Sequence, residues 1–291
     1  MMNDINDIVF KVYKGVLDMD YSKNENTSII KKIKKLYRYI VSGYIFQYKK
    51  NKTGFSKMNL FSETAKRFPE YKLVIYTVST GKYDEIKEPI YVSDNIDYYV
   101  FTDQQLDPCS IWKKLPIPES IKNMTALEQA RYLKTNPHRF FESYDYSMFI
   151  DGNVCITCDV SPLFFTVIAE NKLIAIHKHQ NRDCIYDEAK AIYAAGKASM
   201  KSMRLQLRHY KEKGFPKHFG LFETNIVIRK HNDDRCKEVM TTWSDEIMKW
   251  TKRDQLSFTY ALWKNNLTSK DVLSLGNNSR KNPYFIVDSH R

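Results

Sequence analysis

The chain has 291 residues, of which 43% are hydrophobic and 27% charged, and its net charge is +12. This composition is typical of a folded globular protein and excludes a disordered or fibrous chain. The positive charge is compatible with a nucleic acid or an anionic membrane as partner, but the sequence has no helix-turn-helix, zinc-finger or ribonucleoprotein motif, which argues against a nucleic-acid reader.

The first 60 residues are predicted to form a basic arm, because they hold 12 Lys/Arg against 5 Asp/Glu. Between residues 29 and 46, apolar side chains recur at three- and four-residue steps with basic side chains between them, which predicts an amphipathic helix. This helix either packs on the body or lies on an anionic membrane, so residues 29–52 are the candidate membrane contact. A polar linker is expected at 49–57, and the main domain at 65–291.

Short apolar segments alternate with helical patterns through the main domain. This alternation predicts an α/β fold with a mostly parallel central sheet, helices on both faces, and ligands at the carboxyl ends of the strands. The predicted strands are residues 73–78, 98–102, 146–150, 173–176, 225–228 and 271–275, and the predicted helices are 125–135, 184–197, 200–213, 234–249 and 255–264.

The sequence predicts a cytoplasmic location. The five cysteines are an odd number, and the chain begins without the apolar core of a signal peptide. The uncharged apolar runs at 39–48 and 160–169 are shorter than the roughly 18–20 residues of a membrane span. Membrane contact is therefore expected only at the periphery, on the inner face and through the arm.

The segment Asp151-Gly152-Asn153 follows directly after an apolar strand. A carboxylate, a tight turn and a second oxygen ligand can hold a hard divalent cation and a diphosphate, although the same triplet is also a common turn. Upstream, Arg131 and Lys134 share one face of a predicted helix and are candidate donors to phosphate oxygens.

A second polar group lies where a predicted strand passes into a helix. His177 and His179 alternate onto one side of an extended chain, and Arg182 and Asp183 follow them. They predict an acceptor site or polar pocket, with the alternative that one histidine is a satisfied core residue.

A third group consists of Arg253, Asp254 and Gln255 at the start of an aromatic helix, and Arg253 and Gln255 are predicted to belong to the acceptor site or pocket. Asp254 is either a helix cap or a catalytic carboxylate. Glu223, at the entrance to a strand, is a second carboxylate that is suited to a sugar hydroxyl.

Eight short motifs occur in an order that resembles one known family. They are residues 76–84, 99–103, 131–138, 149–153, 179–188, 214–216, 220–225 and 253–258. The sequence resembles the glycosyltransferase-like domain, once a domain of unknown function, that also occurs in plant turgor-regulation and mucilage proteins and in bacterial polysaccharide loci. The resemblance covers about residues 70–265.

The resemblance implies a GT-A fold that binds a nucleotide-sugar donor, with a UDP-sugar favoured. Thr77 and Tyr83 would lie beside the base and ribose, and Asp103 would face the base. Arg131 and Lys134 would reach the diphosphate.

The resemblance also implies a divalent cation, Mn²⁺ or Mg²⁺, at Asp151 and Asn153, where GT-A enzymes usually have Asp-x-Asp. The amide in place of the second carboxylate lowers the charge of the site and should weaken the binding of the metal. His290 is a candidate further ligand by position, and His179 is its rival.

The function implied is transfer of a sugar to a hydroxyl of a glycan or glycolipid acceptor in surface-polysaccharide or glycolipid synthesis. An inverting reaction would use Asp254 as base, with Glu223 second; a retaining one needs no base there, and the sequence leaves this open. Two alternatives remain: a GT-A-like module that binds a nucleotide or glycan without turnover, and an adaptor for membrane or nucleic acid that acts through the arm.

Overall fold

The computed structural model describes residues 70–81 and 85–288, which form nine strands and six α-helices. The predicted arm helix at 29–46 and linker at 49–57 lie outside the described residues. The strands are β1 Leu73–Ser79, β2 Ile96–Thr102, β3 Lys113–Leu115, β4 Tyr146–Ile150, β5 Val154–Ile156, β6 Ile174–Lys178, β7 Phe222–Arg229, β8 Leu273–Ser274 and β9 Phe285–Val287. The helices are α1 Ala126–Thr135, α2 Ser161–Ala169, α3 Ile185–Ala194, α4 Met200–Glu212, α5 Asp234–Lys249 and α6 Asp254–Lys264.

Seven strands form a central sheet in the order β3-β2-β1-β4-β7-β6-β8. β1 pairs in parallel with β2 and β4, β2 with β3, and β6 with β8. β7 runs antiparallel to both of its neighbours, β4 and β6. The predicted α/β fold with a mostly parallel sheet is therefore confirmed, with one reversed strand that the alternation did not predict.

Every residue of β1 is buried, because helices cover both faces of the sheet. Leu73 and Ile75 pack in one core cluster with Leu163 of α2, whereas Val74 packs in another with Leu133 of α1. Each such buried side chain contributes about 1.5–3 kcal/mol relative to an exposed one. This two-sided burial explains why β1 reads as a continuous apolar run.

The structure also contains elements that the sequence analysis missed. β3 lies at one edge of the sheet, and α2 occupies the apolar run at 160–169. β5 and β9 form a separate antiparallel pair, which brings the end of the chain beside the segment that follows β4. Across the described residues, no helix combines the length and apolarity of a membrane span.

Helix α1 begins against the end of β1. Thr125 and Glu128 form a capping box, an arrangement that stabilises a helix start by about 1 kcal/mol. Gly81, just after β1, has φ +66°, and an added Cβ would lie 2.9 Å from Cβ of Ala126. This close approach places the first turn of α1 near the carboxyl end of β1.

Candidate active site

The carboxyl ends of β1 and β4 lie where the strand order of the sheet changes direction. From β1 the chain continues to β2 and β3 on one side, and it returns to β4 on the other side of β1. Open α/β sheets form a ligand crevice at such a switch point, because the loops that leave the two strands diverge.

A cavity of about 640 Å³ lies at this switch point. Its size falls within the roughly 300–1,000 Å³ of small-molecule sites. The polar and charged side chains of its wall include Ser79, Thr80, Arg131, Asp151, Lys197 and Arg253. Four residues that the sequence predicts at a ligand site lie on this wall: Arg131, Asp151, Gly152 and Arg253.

Two cations and two carboxylates meet at the cavity wall: Arg131 and Asp151 line it, whereas Lys134 and Asp254 lie behind it. The Nζ of Lys134 donates to Oδ2 of Asp254 at 2.6 Å and to Oδ1 of Asp151 at 3.2 Å. Nη1 of Arg131 and Oγ1 of Thr224 donate to the same Asp254 oxygen, at 3.1 and 2.9 Å. Asp254 is therefore the centre of a cluster that joins α1, β4, β7 and α6.

This environment keeps Asp254 ionised. Burial raises the pKa of an isolated carboxyl, but the charges of Arg131 and Lys134 outweigh burial and hold the pKa of Asp254 well below its usual range. A carboxylate with such a low proton affinity is poorly suited to act as a general base. The alternative that it caps α6 is wrong, because Arg253 is the N-cap and the Asp254 side chain makes no capping bond.

Two of the predicted donor contacts need correction. Lys134 cannot reach a ligand in this structure, because its side chain is 0% exposed beneath the two carboxylates. Thr77 is buried within β1 and is not on the cavity wall. Asp103 is exposed and its Oδ2 accepts from the backbone N–H of Gly81 at 3.1 Å, whereas Tyr83 lies outside the described residues.

The turn after β4 offers oxygen atoms that fit a hard cation. Asn153 donates through Nδ2 to the backbone oxygen of Asp288 at 2.6 Å, and its buried Oδ1 has no partner among the described residues. The carboxylate of Asp151 and the amide oxygen of Asn153 are ligand types that Mg²⁺ and Mn²⁺ take. His290 lies outside the described residues, two positions after Asp288.

Glu223 lies on β7 and is held by a neighbouring turn. Its Oε2 accepts from the backbone N–H and the Oγ of Ser279 at 2.8 and 2.7 Å. Burial raises the pKa of Glu223 above its usual value, and the Ser279 hydrogen bonds oppose that rise. A raised pKa suits proton transfer near neutral pH better than the lowered pKa of Asp254 does.

The residues predicted to form the acceptor site or polar pocket lie in different places in the structure. His179 and Arg182 both lie beside Glu188, and burial, with the charge of Arg182, lowers the pKa of His179 to about 3. Asp183 is instead exposed and pairs with His218. Gln255 is half-buried on α6, away from the cavity wall.

His177 does not line an open pocket, contrary to the prediction. Its side chain is 0% exposed, and Nε2 lies 2.7 Å from Nδ2 of Asn282. The register of β6 shifts between Ile176 and His177, so simple alternation does not hold there. The core-residue alternative describes His177 correctly.

The stability of the protein should fall in acid partly because of His177. Burial lowers the pKa of His177 to about 3, against about 6.5 in an unfolded chain, so the unfolded state takes up the proton first as the pH falls. Between about pH 6 and 4 this single group should remove on the order of 1 kcal/mol of unfolding free energy per pH unit. Urea unfolding at several pH values should show a shallower dependence for His177→Gln, and equal slopes would contradict this account.

Some residues of the cavity wall belong to no motif, so the sequence does not predict them at the site. Trp250 follows the end of α5, and Ser199 and Ser202 lie at the start of α4; all three line the cavity. Thr224 contacts Asp254 through a buried hydroxyl. No spacing relates these residues to Asp151, because packing of distant segments brings them together.

Comparison with known families gives a match over most of the chain. The model of the TOD1/MUCI70 glycosyltransferase-like domain matches residues 32–288. A curated relative from Arabidopsis thaliana, named "Probable hexosyltransferase MUCI70", is 23% identical over 214 residues, covering 64% of this chain and 36% of the relative. The chain thus spans little more than a third of that relative's length.

Solved structures of glycosyltransferases are distantly similar to this chain. The apo structure of the bifunctional glycosyltransferase WbbM aligns with a TM-score of 0.47 and 11% identity over 99% of this chain and 59% of that one. Core-mannan synthase A from Aspergillus fumigatus, in an Mn/GDP form, aligns with a TM-score of 0.44 and 11% identity over 77% and 78%.

Proposed function

The chain belongs to the TOD1/MUCI70 family of glycosyltransferase-like domains, and from this membership we propose that it transfers a hexosyl or related sugar from a nucleotide-sugar donor to a hydroxyl acceptor. The observation that carries the proposal is the switch-point cavity with Arg131 on its wall and a buried ionic cluster behind it. A diphosphate needs cationic donors, and a guanidinium can bind two phosphate oxygens at once.

Arg131 is the side chain proposed to contact the diphosphate. It is 14% exposed and lies on the cavity wall, and it already pairs with Asp254. Lys134, held between two carboxylates, is proposed as a positioning residue that keeps Asp151 and Asp254 in place. The transfer step leaves a diphosphate with more negative charge, which donors fixed in advance stabilise without reorganising.

Asp151 and Asn153 are the residues proposed to hold Mn²⁺ or Mg²⁺, with His290 as a further ligand and His179 less suited because Arg182 and Glu188 surround it. Such a cation, when bound, would supply positive charge to the departing diphosphate. The hydrogen bond from Asn153 to Asp288 supports His290 over its rival, since it holds the chain beside this turn two residues earlier.

Glu223, which is not on the cavity wall, is the other candidate for a base if the reaction inverts configuration. Burial raises the pKa of Glu223, whereas the Asp254 carboxylate already binds two cations and a hydroxyl.

The proposed acceptor is a glycan or glycolipid in surface-polysaccharide or glycolipid synthesis, and a UDP-sugar is the proposed donor. The proposed location is the cytoplasm, with the basic arm at residues 1–60 near the inner face of the membrane.

Thermal unfolding with a panel of UDP-, GDP-, CMP- and dTDP-sugars, with and without Mn²⁺ and Mg²⁺, tests this function. A donor at 100 times its dissociation constant adds about 2.7 kcal/mol, so one nucleotide class should raise Tm by several degrees. The shift should be lost in Asp151→Asn, and the exposed Asp245→Asn is the matched control. The absence of a shift with every donor would contradict the proposal.

A module that binds without turnover is the second candidate, since one carboxylate of the usual pair is an amide at Asn153. It predicts the same thermal shift but no transfer and no donor hydrolysis with either metal.

The third candidate is an adaptor that acts through the basic arm. It predicts that removal of residues 1–60 abolishes activity and that the affinity for the membrane or nucleic acid falls steeply with salt.

A further inference from the structure

Helix α4 carries four basic side chains on one exposed face. They are Lys201, Arg204, Arg208 and Lys211, hereafter the α4 stripe, and all four are exposed. Their spacing of three, four and three residues puts them on one side of a helix. The opposite side of α4 is buried through Met203, Gln206 and Tyr210.

The stripe makes no ion pair in the described part of the protein. The described ion pairs join other residues, and none includes a member of the stripe. Like charges three or four residues apart on a helix repel each other. An anionic partner would remove this repulsion.

The start of α4 lies at the cavity wall, and the stripe runs from that end of the helix along another of its faces. Lys197, Ser199 and Ser202, at and just before the start of α4, line the cavity wall. Farther along α4, the ring of His209 lies 5.2 Å from that of Trp250, which is also on the wall. From Lys201 to Lys211 the stripe extends about 15 Å along the helix.

We propose that the α4 stripe binds an anionic acceptor glycan, a chain whose sugar units carry carboxylate or phosphate groups, and directs its end into the cavity. This inference rests on the proposed transferase function and specifies its acceptor class. A linear row of cations on the helix whose first turn lies at the cavity wall complements an extended anionic chain whose reacting hydroxyl, at one end, enters the cavity.

A membrane surface fits the same helix less well. A helix that lies in a lipid interface inserts an apolar face. The apolar face of α4 is already packed in the core, and Leu205, 49% exposed, is the one large apolar side chain that this helix exposes.

Direct binding of polymers to the full chain tests the inference without any need for turnover. The probes are polygalacturonate for carboxylate, a poly(glycerol phosphate) for phosphate, neutral dextran, and phosphatidylglycerol vesicles. The stripe variant is Arg204→Gln/Arg208→Gln/Lys211→Gln. The control variant, Lys72→Gln/Lys264→Gln/Lys270→Gln, removes the same charge from exposed lysines elsewhere.

One of the two anionic polymers should bind the unaltered protein at least tenfold more tightly than dextran does at about 0.1 M salt. The stripe variant should bind that polymer at least tenfold more weakly than the unaltered protein, whereas the affinity of the control variant should change by less than twofold. Equal losses in both variants would overturn the inference, because they would report net charge alone. Binding to vesicles but to neither polymer would overturn it in favour of a membrane contact.

Donor binding separates this inference from the function on which it rests. The stripe variant should keep the donor-induced rise in Tm, since Arg131 and Asp151 are unchanged. Donor binding without polymer binding in the unaltered protein would refute the stripe alone. Polymer binding without donor binding would refute the transferase proposal and leave a glycan-binding surface.

Discussion

Replacement of Asp254 by asparagine is expected to lower the free energy of unfolding by about 3–5 kcal/mol, because it leaves the buried Lys134 without its nearest counter-charge. The carboxylate oxygen lies 2.6 Å from Nζ of Lys134 and 3.1 Å from Nη1 of Arg131. Urea unfolding at pH 7 measures the loss. A loss below about 1 kcal/mol would contradict a buried charge cluster at this position.

The double variant Asp254→Asn/Lys134→Met provides the control for this result. Removing both partners of a buried pair costs much less than the sum of the single changes, since no uncompensated charge remains. The double variant should therefore regain much of the stability lost in either single variant. Additive losses would contradict direct coupling between the two side chains.

The pH dependence of the Asp254→Asn effect has a definite sign. The pKa of Asp254 is lowered in the folded state, so its stabilisation is fully present above about pH 4, the unfolded value, and is lost as the pH falls towards the lower folded value. The difference in unfolding free energy between the original chain and the variant should accordingly shrink below about pH 4.

Arg131→Gln is expected to lower kcat/KM for donor hydrolysis or transfer by about 10²–10³, because a fixed cationic donor to the departing diphosphate is removed. Its effect on stability should be smaller than that of Asp254→Asn, since Lys134 and Thr224 still bind Asp254. Steady-state kinetics with the donor identified by thermal shift measures the loss.

Arg139→Gln is the matched control for Arg131→Gln. Arg139 is exposed just after α1 and is not on the cavity wall. This variant should keep kcat/KM within about twofold. Equal losses in the two variants would show that Arg131 acts through net charge rather than through contact with the donor.

The local pattern of the sequence predicted much of the fold. The strand predicted at 73–78 is β1, and the helix predicted at 125–135 is α1 with Thr125 as its N-cap. These predictions succeeded because hydrophobic periodicity and capping depend on residues close in sequence. They also located Asp151 at a strand end and Arg131 on a neighbouring helix.

The sequence did not predict which distant side chains meet. Lys134 and Asp254 are 120 positions apart, and the sequence predicts separate roles for them, as a phosphate donor and a base. The burial of His177 likewise depends on a register shift in β6 and on Asn282, 105 positions away. Spacing along the chain carries no information about such pairs.

The sequence by itself therefore determined most of the long strands and helices, the fold class and the residue types available for phosphate and metal chemistry. Only the tertiary structure decided that β7 runs antiparallel, that β9 brings Asp288 against Asn153, and that Asp254 neutralises two cations instead of standing free. The physical reason is that helix and strand formation follow from neighbouring residues, whereas pKa values and ion pairs depend on burial and on charges from distant segments.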